Sequence, residues 1–189
     1  DNLILDADSA LAEETDDAHR KVVLLRGSAY FDVAPDDRPF VVTLGEFSIE
    51  VLGTSFEVGH LADEVQISVV DGLVQVRKDL QTWRLKPGQA LSWRPGRDAI
   101  VENVPVASMA PWRDDFLLTD SLTFAQVIDI LDRRLPGQIR VADTKLARGQ
   151  MTGGVDLAEP ERALRTVVAA RGARLISVPL FGKIVLSAD

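Results

Sequence analysis

The chain of 189 residues has no cysteine, only two histidines, one tyrosine and two methionines. Without cysteine there can be no disulfide, thiolate zinc site or cysteine nucleophile. The absence leaves the compartment open, and a thiol-free fold suits an oxidising periplasm as well as any other location. His19 and His60 alone cannot build a multi-histidine metal centre or a histidine-rich active site. Long hydrophobic runs are missing too. Val22–Leu25, the longest aliphatic stretch near the start, falls far short of the roughly 18 apolar residues of a membrane span. No charged segment followed by an apolar one opens the chain as a signal peptide would. It begins at Asp1 without a methionine, close to a strand-like Leu3-Ile4-Leu5, and reads as a piece of a longer protein.

Positive charge is scarce: 21 Lys and Arg stand against 29 Asp and Glu, a net charge of −8. Such a surface repels phosphate backbones and argues against nucleic acid as a partner. What is present is the balance of a folded domain, 46% apolar and 26% charged residues.

From Val22 to about Val104 the apolar period is two. Phe47, Ile49 and Val51 alternate with Ser48 and Glu50, and Val65, Ile67 and Val69 with Gln66 and Ser68. Trp83 and Leu85, then Leu91 and Trp93, continue the scheme. Turn chemistry breaks it at Pro35-Asp36-Asp37, Gly45, Asp71-Gly72, Pro87-Gly88 and Pro95-Gly96. From Trp112 the period changes. Phe124, Val127, Ile128, Leu131 and Leu135 share one helical face, Thr123 and Gln126 form a capping-box start, and Pro136-Gly137 is the stop. Pro160 opens a second helix carrying Ala163, Leu164, Val167 and Val168, and Gly172 closes it. Strands are expected at Gln138–Ala142, Gln150–Val155, Arg174–Val178 and Lys183–Ser187 around the helices. The reading is an all-β domain at 1–108, stacked, solenoid-like or jelly-roll-like. A small α+β domain of βαβ-βαβ order follows at 112–189, two helices on a sheet. Residues 1–111 hold 10 basic and 19 acidic side chains, whereas 112–189 hold 11 and 10. The second half is therefore the better place for an acidic partner surface.

Chemistry-bearing patterns are sparse. The acidic pairs Asp16-Asp17, Asp36-Asp37 and Asp114-Asp115 read as solvated turns. Glu13–Asp17 lacks the glycine and terminal Glu of a calcium loop. Gly53-Thr54-Ser55-Phe56-Glu57 has Glu where a hydrolase elbow needs a final Gly. Gly53 relieves a bend there and Phe56 fills the core. His60, after Gly59, is expected in a surface turn, Trp83 and Trp93 in the core, and Trp112 at the join between the domains. No nucleophile, base and charge stabiliser converge, so no enzyme, cofactor or metal is expected.

Five ordered segments carry a resemblance: Leu5–Leu11, Leu24–Ala34, Arg38–Val42 with Val51–Val58, Val69–Val76, and Leu85–Gln89. They resemble the periplasmic part of FecR-like sigma regulators, transmembrane anti-sigma factors of Gram-negative iron uptake. Ser28 and Asp71 stand where that family usually has Glu. Residues 112–189 are similar to the STN signalling domain of secretins and TonB-dependent transducers. The resemblance implies a periplasmic sensor joined to one inner-membrane helix and a cytoplasmic segment that binds an ECF (extracytoplasmic-function) sigma factor. It also implies that the sensor binds the periplasmic signalling domain of a TonB-dependent siderophore transducer, and that periplasmic and intramembrane proteases relay the signal. The expected docking site is the edge of a Gln150–Val155 strand, with Gln150 and Thr152 alternating along it and Arg148, Arg171 and Arg174 as a positive rim. Two other readings stand beside this one. The first is a periplasmic glycan-binding or glycan-cleaving β domain using Trp83, Trp93 and Trp112 together with the carboxylates. The second is a spacer that shields the sensor from proteolysis.

Overall fold

The computed structural model describes residues 1–15, 20–61, 64–120, 122–178 and 182–187. Their contacts divide the chain into two units, Asp1–Ala110 and Pro111–Asp189.

The first unit is built from strands β1 (Asn2–Leu5), β2 (Ala10–Glu13), β3 (Arg20–Arg26), β4 (Ser28–Val33), β5 (Phe40–Leu44) and β6 (Phe47–Val51). They are followed by β7 (Thr54–Leu61), β8 (Glu64–Asp71), β9 (Val74–Lys78), β10 (Gln81–Leu85), β11 (Gln89–Trp93) and β12 (Ile100–Asn103). These form two six-stranded sheets, in the orders β1-β4-β7-β8-β11-β12 and β10-β9-β6-β5-β3-β2. Pairing is antiparallel except between β3 and β5. Strands distant in sequence lie side by side, β1 against β4 and β8 against β11, so the unit is a sandwich rather than a solenoid of successive coils.

Period two puts one side chain of each pair inside. Phe56, Val58 and Ile67 from one sheet and Val42, Ile49 and Val76 from the other are fully buried in a single core. Phe31 stacks on Phe56 with ring centroids 5.0 Å apart and tilts against Phe40 at 5.7 Å, joining the two layers. Trp83 and Trp93 pack only partly against this core and remain half-buried, because each lies toward the margin of the sandwich. His60 pairs with Val65 inside the β7–β8 ladder, not in a turn. Asp16, Asp17 and His19 lie outside the described residues.

Two of the segments that carry the resemblance meet at one end of this unit. A Cβ on Gly53 would stand 2.8 Å from Pro35 Cα, and the buried Thr54 hydroxyl donates to the Leu73 carbonyl at 3.2 Å. Gly72 has φ +84°, and a Cβ there would stand 2.6 Å from the Gly53 carbonyl oxygen. Both the handedness and the space call for glycine.

The second unit contains β13 (Phe116–Leu118), α1 (Phe124–Asp132), β14 (Ile139–Val141), α2 (Thr144–Ala147), β15 (Gly154–Asp156), α3 (Pro160–Ala170), β16 (Ala173–Val178) and β17 (Gly182–Ser187). The α1 capping box is complete: Gln126 N–H donates to Thr123 Oγ1, and Thr123 N–H donates to Gln126 Oε1 at 2.8 Å. Helix α1 stops at Asp132, three residues before Leu135. Asp132 Oδ1 accepts the Ile139 N–H at 2.7 Å, and the chain between them turns back toward β14. Two small sheets are present where one was expected. In the first, β13 pairs antiparallel with β15; in the second, the order is β14-β17-β16, with β14 parallel to β17.

Candidate protein-docking surface

Over residues 150–153 the expected Gln150–Val155 strand does not form. Only Gly154–Asp156 forms a strand, and it pairs with β13. Gln150 makes a lone bridge to Thr123, and Met151 N–H donates to the Leu122 carbonyl at 2.9 Å. Gly153, at φ +106°, leaves the extended region; its N–H donates to Asp120 Oδ1 at 2.8 Å, and its carbonyl accepts from Thr119 Oγ1 at 2.9 Å. The Met151 and Gly153 groups that an added strand would use are thus engaged by the unit's own loops.

Arg148, Gln150 and Arg171 nevertheless come together. Asp143 caps α2 by accepting the N–H groups of Lys145 and Leu146 at 2.7 and 3.1 Å, and Arg148 ends that short helix. Arg171, just past α3, donates to the Gln150 carbonyl at 3.4 Å. Its guanidinium lies where a Cβ on Gly149 would stand, 2.0 Å away, so glycine at 149 makes room for it. Arg171 is thus a clamp between the end of α3 and the loop after α2, as well as a surface cation. The side chains of Arg148, Gln150 and Thr152 are exposed. Arg174 belongs elsewhere, on β16 opposite Leu186.

The β14-β17-β16 sheet has two unlike faces. Ile139, Leu175 and the fully buried Val185 face the side packed by α1 and α3. On that side Lys183 approaches Glu161 of α3 at 4.0 Å. The opposite face carries Arg140, Ile184 and Ile176 in one row across all three strands, with Leu186 beside Arg174 in the next. Ile176 is 45% exposed. This face was missed in the sequence, although the alternation through Arg174–Val178 carried the signal. Near the start of β14, burial with the neighbouring Asp129 charge raises the Asp132 pKa above the usual carboxylate range, in spite of the Ile139 hydrogen bond and the nearby arginines.

Other side chains offer little to a substrate. Trp93 has the Lys78 ammonium 5.0 Å from its ring centroid and meets Phe47 edge-on at 5.3 Å. Asp79 and Glu46 pair with Lys78 and raise its pKa. Trp112 is buried in the turn Pro111–Asp114. Asp36 is paired with Arg38 at 3.2 Å, which holds its carboxyl low. Among the described residues no cluster of three His, Cys, Asp or Glu side chains could hold a metal ion, and no helix is long and apolar enough to cross a membrane.

Residues 2–75 match the family model described as FecR protein. That segment is FecR-like. It comprises β1–β8 and the start of β9, and so includes the Gly53–Gly72 contact and the Phe31–Phe56 stack. Two crystal structures, at 1.65 and 2.50 Å, of a protein from Parabacteroides distasonis ATCC 8503 provisionally described as an anti-sigma factor share the fold. The TM-scores are 0.86 and 0.85 at 21% and 22% identity, over 99% of this chain and 90% of the other. No curated protein matches the chain in sequence.

Proposed function

We propose that this chain is the periplasmic sensing part of a FecR-like anti-sigma regulator and acts by binding another protein, without catalysis. The observation that carries the reading is the FecR match over residues 2–75, in a chain that shares its two-unit fold with a protein provisionally described as an anti-sigma factor. The partner is the periplasmic signalling domain of a TonB-dependent siderophore transducer, docking on the STN-like residues 112–189, where charge is balanced rather than acidic. Binding is relayed by regulated proteolysis through an inner-membrane helix to a cytoplasmic segment of the same regulator, which holds the ECF sigma factor.

A glycan-binding reading has less support. One face of Trp93 is occupied by Lys78, and Trp112 is buried. Flat, open aromatic faces are what a sugar platform requires.

The test is calorimetric titration of this chain with the purified periplasmic signalling domain of a TonB-dependent siderophore transducer. Saturable one-to-one binding is expected, weakening as salt rises. Absence of binding, together with saturable quenching of tryptophan fluorescence by peptidoglycan fragments, would replace this reading with the glycan one.

A further inference from the structure

Cations on the second unit are mostly paired or engaged with neighbouring groups. Arg162 meets Asp156 at 3.1 Å, Arg133 is paired with Asp129, and Lys183 approaches Glu161. Arg140 and Arg174, like Lys145, Arg148 and Arg165, are in no ion pair among the described residues. Arg140 donates only to the Gln138 side-chain oxygen at 3.0 Å, and no carboxylate among the described residues pairs with either guanidinium. They stand on opposite edge strands of one three-stranded sheet, on the face that the helices do not cover. Between them run Ile184, Leu186 and Ile176, aliphatic side chains pointing away from the unit's own core. On the outer face of β3-β5-β6-β9-β10 in the first unit, Val23 and Val41 stand among Lys21, Thr43, Ser48, Glu50, Arg77 and Thr82, and there Arg77 pairs with Glu50 at 2.7 Å.

We infer that the outer face of β14-β17-β16 is the docking surface for the partner, with Ile176, Ile184 and Leu186 as its apolar centre and Arg140 and Arg174 as its cationic rim. The inference rests on the protein-binding reading above and moves the site from the Gln150–Val155 segment to a different face. An aliphatic centre desolvates well on contact, whereas two exposed guanidiniums outside any ion pair select carboxylates at the rim of the opposing surface. The occupant is therefore a folded signalling domain with an apolar patch bordered by Asp or Glu. Arg148, Gln150 and Thr152 lie outside its footprint.

The experiment is titration of the transducer signalling domain against wild-type chain, Ile176→Asp, Arg140→Glu/Arg174→Glu and, as control, Thr152→Ala. All four substituted side chains are exposed, and unchanged circular dichroism and melting verify folding. Ile176→Asp is expected to weaken binding at least about tenfold. The double charge reversal should weaken it comparably and flatten its salt dependence, and Thr152→Ala should bind like wild type. Wild-type binding with both surface variants within about twofold of it overturns this surface and leaves the protein-binding reading standing. No binding by wild type overturns both. A wild-type dimer in sedimentation that Ile176→Asp dissociates assigns the face to a second copy of the chain and overturns the inference.

Discussion

Glu57 Oε2 accepts the Ala110 N–H at 2.9 Å, a contact between residues 53 positions apart. The Ser68 hydroxyl donates to the same oxygen at 3.2 Å. Phe56 and Val58 point into the core, so Glu57 lies on the outer face of its sheet, where Tyr30 and Ser68 flank it in register. The last residues of the first unit, with buried Met109 and Ala110, are tied to that face by one carboxylate.

Glu57→Ala removes this acceptor. It is expected to cost about 1–3 kcal/mol, read as a lower urea midpoint, and to speed exchange of the Ala110 amide hydrogen. Glu57→Gln keeps a side-chain oxygen and should retain most of the protection. An unchanged exchange rate in the alanine variant would show that other contacts hold the segment.

Gly72→Ala places a Cβ against the Gly53 carbonyl at a backbone angle of +84°. The substitution is expected to destabilise the first unit by about 1 kcal/mol or more. Ala at Gly45, where φ is +55° but nothing lies within 4 Å of the new Cβ, bears only the conformational part. A difference in midpoint between the two variants measures the steric part, and equal midpoints would refute it.

Asp132 gives a pH prediction. Burial raises its folded pKa, so the folded state keeps this proton to a higher pH than the unfolded chain does. Its contribution is therefore most favourable below the unfolded value of about 3.9 and declines as pH rises through the folded pKa. Asp132→Asn keeps an oxygen for the Ile139 N–H and removes the charge. Relative to wild type it should gain stability between pH 3 and pH 7, measured as the difference in melting temperature at each pH. A gain that shrinks with rising pH would contradict the burial argument.

Much of the fold was legible in local patterns. Phe47, Ile49 and Val51, and Val65, Ile67 and Val69, are all buried as their alternation requires. Thr123, Gln126 and Pro160 mark helix starts because capping chemistry acts within one turn. The proposed docking face was not legible in the same way. Gln150-Met151-Thr152 alternates like a strand, but Gly153 turns out of the extended region and Asp120 and Leu122 take the backbone donors. Arg174 was read from the sequence as part of the positive rim and is exposed, yet its neighbours across the sheet, Leu186 and, one row on, Ile176 and Ile184, come from register alone.

Composition and spacing by themselves determined the absence of thiol chemistry, the change from period two to helical period near Trp112, the capped helices and the FecR-like segments, all of which depend on residues close in sequence. Tertiary structure alone decided which strands lie side by side, which face of the β14-β17-β16 sheet the helices cover, and where the Glu57 carboxylate finds its amide. The physical reason is that burial and hydrogen-bond pairing are properties of contacts between distant segments. A residue's own period states that it has two faces, and only the neighbour packed against one of them determines which face meets water.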